Sequence, residues 1–221
     1  MPRQAPWAGD VQAAGVGPLA LVPPMGENPP GGCACGLVES SGEPMEPYGE
    51  RTFAQAAEDA RRGALAHKGA GRDCLLLTGA QNLPQARAAV LGAREAGLPL
   101  LLALDLMGEG DALAGGGDIL SAFVVLQELG LAAFGFRTGV TGIALPGLER
   151  LQPYSRIPLL SMTQNMAEAL PPAAAAQLFA RRARGLARLG VTMMAIDGAG
   201  RDQLAAAAHA LAQAPGPTGE K

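Results

Sequence analysis

Three groups of residues in this chain have the types and spacing to do chemistry. Cys33 and Cys35 form a C-x-C pair at the start of one apolar segment, and Cys74 opens another. Alternation along a strand sends Cys33 and Cys35 to one face, and three thiolates suffice in principle for a soft metal ion such as zinc. All three stand early in their segments, so their expected role is that of small apolar core fillers. The second group is acidic. Asp105, Glu109, Asp111 and Asp118 lie at or after the end of an apolar run, where carboxylates serve as acid, base or magnesium ligand. Asp118 also has the position of a helix N-cap. The third group is His67 and His209, each inside a helical pattern and without a Cys or His at ligand spacing. A helix C-terminal charge or a solvated face is the expected role for both. Gly115-Gly116-Gly117 ahead of a helical segment matches either an anion-binding loop or a plain connecting loop.

These residues need a scaffold, and the same pattern is repeated after residue 50: a capped amphipathic helix, a glycine, then a short apolar strand. Thr52 with Gln55 reads as a capping box, and Asn82 with Gln85 as a similar arrangement with Pro84 in the first turn. The spacing predicts helices over Thr52 to His67, Leu83 to Ala96, Asp118 to Leu129, Asn165 to Leu189 (broken at Pro171-Pro172) and Asp202 to Gln213. Strands are predicted at Gly32 to Val38, Cys74 to Leu77, Pro99 to Asp105, Leu131 to Phe136, Ile157 to Ser161 and Val191 to Ile196, with Leu19 to Val22 as a further short one. They are apolar along their length, as strands of a parallel sheet buried on both faces are. About six βα units result, and periodicity alone is compatible with a truncated barrel or a doubly wound sheet.

Composition narrows the setting. The chain has 221 residues, 48% apolar and 17% charged, enough for a sizeable core. A net charge of -3, with no basic run interleaved with aromatics, argues against a nucleic-acid partner. No apolar run approaches the roughly 20 residues that cross a bilayer, and none near the start has the length of a secretory core. With only three cysteines, a reducing, cytoplasmic location is expected. Residues 1–30 read as an irregular arm, 31–213 as the folded unit and 214–221 as a flexible tail.

The order of motifs carries more. Gly42-Glu43-Pro44 through Pro47-Tyr48-Gly49 and Thr52-Phe53 look like a loop and helix start. Asp73-Cys74-Leu75-Leu76-Leu77 followed by Gln85 to Leu91 and Ala93-Arg94-Glu95 look like the next strand and helix. Gly110 to Asp118 then gives a glycine-containing loop, Ala133-Phe134-Gly135-Phe136 a strand, and Gly190-Val191 with Leu204 to Leu211 a last strand and helix. In this order and spacing the chain resembles the homocysteine-binding domain of the homocysteine S-methyltransferase family, which includes the front module of cobalamin-dependent methionine synthase and the betaine-dependent enzymes. The resemblance implies an α/β fold, an incomplete (β/α)8 TIM-type barrel with about six βα units, and methyl transfer to homocysteine.

In that family three thiolates hold a zinc ion that activates the homocysteine thiol. The resemblance places Thr138, preceded by Arg137, at the first ligand position, and Ile196 and Asp197 at the adjacent pair, with Gly198 keeping the glycine that follows. No metal and no other cofactor are therefore expected. Thr78-Gly79 stands where the family has a Glu-Thr pair that helps hold the amino acid, and Ser161-Met162-Thr163-Gln164 replaces a Pro-Asn-rich turn. The family's opening strand and the unit after it have no counterpart. The substrate-binding candidates are Thr78, Asp105, Arg137, Thr138 and Asp197, with Arg137 either pairing with Asp197 or holding a small carboxylate. Three readings follow: a family methyltransferase, a degenerate non-catalytic subunit beside a methyltransferase or corrinoid protein, and a barrel enzyme of changed chemistry using strand-end carboxylates. An incomplete barrel leaves strand edges, to be covered by the N-terminal arm or by a second subunit, so a homo-oligomer is also expected.

Overall fold

The computed structural model describes residues 20–21, 34–107, 112–138, 145–164, 171–189 and 191–197. Its strands are β1 (Ala20–Leu21), β2 (Cys35–Glu39), β3 (Cys74–Thr78), β4 (Leu100–Asp105), β5 (Ala133–Thr138), β6 (Leu159–Gln164) and β7 (Val191–Asp197). The helices are α1 (Phe53–Gly69), α2 (Leu83–Ala93), α3 (Ile119–Gln127), α4 (Leu145–Leu151) and α5 (Pro172–Arg188). All strand pairs are parallel, and the sheet runs β1-β7-β6-β5-β4-β3-β2.

This order decides between the two architectures left open by periodicity. A doubly wound sheet reverses direction at a switch point, and from β2 to β7 there is no reversal. Crossovers of one hand therefore put every helix on the same face, and the other face closes on itself. Two separate apolar clusters show the result. Leu75, Leu77, Leu102, Leu104, Phe134 and Phe136 meet the helices, while Cys35, Cys74, Leu76, Leu101, Ala103, Leu160, Met162 and Ala195 meet one another inside. The fold is an incomplete (β/α)8 barrel. Ala20 and Leu21 pair with Met193 and Met194, so part of the N-terminal arm lies along β7.

Local signals account for most boundaries. Thr52 and Gln55 form the expected reciprocal capping box, with bonds of 3.2 Å and 2.8 Å. Asp118 caps α3 by accepting from the Ser121 N–H at 2.8 Å. Asn82 caps α2, yet Gln85 does not complete a box. Its amide accepts from the Gln81 N–H at 2.8 Å and donates to the Glu43 carbonyl at 2.9 Å, joining the loops that follow β2 and β3. The α2 segment ends in a 3-10 turn at Arg94–Ala96, closed by Gly97 at φ 68°.

Helix α4 has no counterpart among the helices predicted from spacing. Proline is tolerated in a first turn, and a Cβ on Gly147 would meet Ile119 Cδ1 at 2.8 Å. The glycine thus lies close against the Ile119 side chain of α3. Between α1 and α2 the contact is closer still, since a Cβ on Gly92 would overlap the Ala57 carbonyl oxygen. Among the described residues no helix is long and apolar enough to cross a membrane. The helix expected at Asp202 to Gln213 and the start of the one expected from Asn165 lie outside the described residues, as do Cys33, Glu109, Asp111, His209, the 214–221 tail and the 1–30 arm apart from β1.

Candidate functional site

Catalytic groups of a parallel barrel gather where strands end, because the βα loops that vary in length and chemistry all leave from that rim. The inner-face positions there follow from the register. Glu39 is opposite Thr78, Asp105 opposite Arg137, Arg137 opposite Met162 and Gln164 opposite Asp197. Cys35, Leu37 and Glu39 share one side of β2 by alternation, as do Leu101, Ala103 and Asp105 on β4.

Arg137 is the centre of this layer. Its Nε donates to Asp105 Oδ1 at 2.7 Å and its Nη2 to Asp105 Oδ2 at 2.8 Å, a bidentate pair between adjacent strands. Nη1 donates to Glu39 Oε1 at 3.0 Å, reaching past β4 and β3 to β2. The Arg137 and Asp105 side chains are 22% and 18% exposed, and Glu39 is 55% exposed. Hydrogen bonding to Asp105 holds the guanidinium well above its ordinary pKa, against the opposing pull of burial, and Glu39 adds to the effect. Arg137 is therefore a fixed cation. Both Asp105 oxygens are engaged by it, which suits a charge partner better than a proton carrier.

Thr78 sits beneath this group, 1% exposed, and its Oγ1 is buried without a hydrogen-bond partner. Thr138 ends β5 opposite Thr163, and Asp197 ends β7 opposite Gln164. The side chains of Thr138, Ile196 and Asp197 lie outside the described part, and with them the pairing of Arg137 with Asp197. The sequence reading missed Glu39. Its signal was available, because alternation from Cys35 and Leu37 puts it on the inner face, but the predicted strand stopped at Val38.

Other candidates fall elsewhere. Cys35 and Cys74 are buried in the inner cluster at the opposite end of their strands. His67 reaches back from α1 to the Leu37 carbonyl, with Nε2 at 2.8 Å, so it covers part of β2 and does not merely end a helix. In the glycine loop, the Gly115 N–H donates to the Gln81 carbonyl at 2.7 Å and the Gly116 N–H to the Leu113 carbonyl at 2.8 Å. Those two amides are committed to the fold and do not form an anion cradle. Asp118 serves its cap and accepts from Arg150 at 2.7 Å.

The class of protein is thus an incomplete, singly wound parallel α/β barrel with a charged, strand-end layer on its inner face. No protein-family model and no curated protein matches the chain. Solved structures do. The apo form of the homocysteine methyltransferase MmuM from Escherichia coli superposes with a TM-score of 0.61 at 12% identity, over 91% of this chain and 82% of that one. Its oxidized form gives 0.61 at 16%, over 81% and 62%. The metallated form gives 0.57 at 14%, over 72% of this chain, which spans about half (52%) of that structure's length. At these identities the shared property is the fold, a (β/α)-type barrel.

Proposed function

We propose that this chain is a homocysteine S-methyltransferase-type domain that has lost the thiolate chemistry of that family and serves as a non-catalytic subunit beside a methyltransferase or corrinoid protein. The observation that carries this reading is the Asp105–Arg137–Glu39 cluster. It occupies the strand-end layer of a barrel whose neighbours in structure include a homocysteine methyltransferase.

Zinc bound by three thiolates does not fit the residues present. The resemblance puts a hydroxyl, an alkyl chain and a carboxylate at the three ligand positions, Thr138, Ile196 and Asp197. A guanidinium held charged in the same layer repels a divalent cation and supplies positive charge of its own. Among the described residues no three His, Cys, Asp or Glu side chains converge as a ligand set. Without a metal, homocysteine sulfur keeps a thiol pKa near that of cysteine, about 8.5, and is largely protonated at neutral pH.

The test is metal analysis of the purified chain together with methionine formation from homocysteine and a sulfonium, quaternary-ammonium or methylcorrinoid donor. Sub-stoichiometric zinc and no methionine are expected. One zinc per chain with turnover would overturn the proposal.

The buried, unpartnered Thr78 hydroxyl favours a second reading, in which the layer takes a small polar ligand such as a carboxylic acid through Arg137. Calorimetric titration with small mono- and dicarboxylates separates the two. A saturating heat that Arg137→Ala abolishes selects the ligand reading, and the absence of heat selects the scaffold.

A further inference from the structure

Cys35 and Cys74 are register partners in neighbouring parallel strands. Their Cα atoms are therefore about one interstrand spacing apart, roughly 4.8 Å. Both side chains leave the sheet on its inner face, where they are buried in one cluster with Leu76 and Leu101, and neither is in a disulfide. A spacing of that size falls inside the range of roughly 4.4–6.8 Å over which two cysteines can be bridged.

We infer that Cys35 and Cys74 form a redox pair, convertible between two thiols and one interstrand disulfide, with a small peroxide as oxidant. This is a modification site at the end of the barrel opposite the Asp105–Arg137 layer. It needs neither that layer nor the proposed loss of methyl-transfer chemistry.

Access follows from the topology. Among the described residues β2 is the last strand of the sheet and pairs on one side only, with β3. Edge strands open locally at lower free energy than central ones. Cys74 keeps 9% exposure and Cys35 has 0%, so Cys74 is the first to react.

The Cys74 thiolate attacks one peroxide oxygen, the O–O bond breaks, and the departing oxygen leaves as water after taking up a proton. Cys74 is left as a sulfenic acid. The Cys35 sulfur, giving up its proton, then attacks the Cys74 sulfur, the S–O bond breaks, and the departing hydroxide takes that proton and leaves as a second water. Two thiols and one peroxide become one disulfide and two waters, with the two electrons coming from the two sulfurs. The product ties the edge strand covalently to β3.

The experiment exposes the intact folded chain to hydrogen peroxide, blocks the remaining thiols with N-ethylmaleimide, and maps peptides by mass spectrometry. The chain has three cysteines. The expected result is a Cys35–Cys74 linked peptide two hydrogens lighter than its parts, and one alkylated thiol per chain in place of three. Cys33→Ser should keep the bridge, while Cys35→Ser and Cys74→Ser should each lose it. Three alkylated thiols after oxidation, a bridge that uses Cys33, or sulfinic acid at Cys74 in place of the bridge would each overturn the inference. Mapping the unmodified chain gives the answer even if a serine variant folds poorly.

Discussion

The Arg137 guanidinium lies edge-on to the Asp105 carboxylate, with two parallel hydrogen bonds of 2.7 Å and 2.8 Å between residues paired in register on β4 and β5. Because the pair spans two strands, it fixes the relative position of their ends as well as balancing charge. Less than a quarter of either side chain is exposed. Removing one partner therefore leaves a largely desolvated charge without its bidentate counterpart, which is more harmful than removing both. Asp105→Asn and Arg137→Met should each lower stability by about 2–3 kcal/mol, and the double variant should be more stable than the two losses added together. Urea denaturation of the four proteins checks this, and strict additivity would show that the two residues act independently.

Glu39 is a weaker member. More than half of its side chain is exposed, so Glu39→Gln should cost about 0.5 kcal/mol or less in the same titration. A loss equal to that of Asp105→Asn would show that Glu39, and not Asp105, anchors the arginine.

Gln85 is 4% exposed and serves two loops through one amide. Gln85→Leu keeps the volume but leaves the Gln81 N–H and the Glu43 carbonyl without partners. The expected loss is about 2–3 kcal/mol. Gln85→Glu retains an acceptor for Gln81 and loses the donor to Glu43, so it should fall between the wild type and Gln85→Leu. Hydrogen exchange at the Gln81 amide should quicken in Gln85→Leu and stay slow in Gln85→Glu.

At Gly92 a methyl group would overlap the Ala57 carbonyl oxygen where α1 and α2 touch. Alanine is the better helix former by roughly 1 kcal/mol, so propensity alone predicts a gain for Gly92→Ala. Steric overlap decides the sign, and a net loss of about 2 kcal/mol is expected by thermal or chemical denaturation. A more stable variant would mean that the two helices can separate without penalty.

Asp118 yields the pH dependence. The Ser121 N–H, followed by Arg150, holds its carboxyl below the usual value of an aspartate. A depressed folded-state pKa means that the cap contributes fully above the unfolded value, about 3.9. The contribution disappears as the pH falls through the lower folded value. Asp118→Ala should cost about 1 kcal/mol at pH 7. The gap from wild type should narrow as melting is followed downward from pH 5, and a gap that widened toward acid would contradict the assignment.

The sequence determined the elements and most of their ends. Apolar runs, the Thr52–Gln55 box, the Asp118 cap and the Gly97 turn are local signals, decided by backbone hydrogen bonds within a few residues of one another. Helix α4 escaped because its glycine sits against Ile119 of α3, a tertiary neighbour that no local rule supplies. Strand order was not legible either, since βα repeats have the same periodicity whether the sheet winds once or twice. Only the pairing of β2 through β7 in succession made the chain a barrel. The site divides in the same way. Asp105 and Arg137 stood out by type and position, but their partnership depends on the register of β4 and β5. Glu39 joins them from a strand 98 residues before Arg137 in sequence. Residue types come from the chain, whereas which charges meet is set by strand register and barrel curvature, which are properties of the whole sheet.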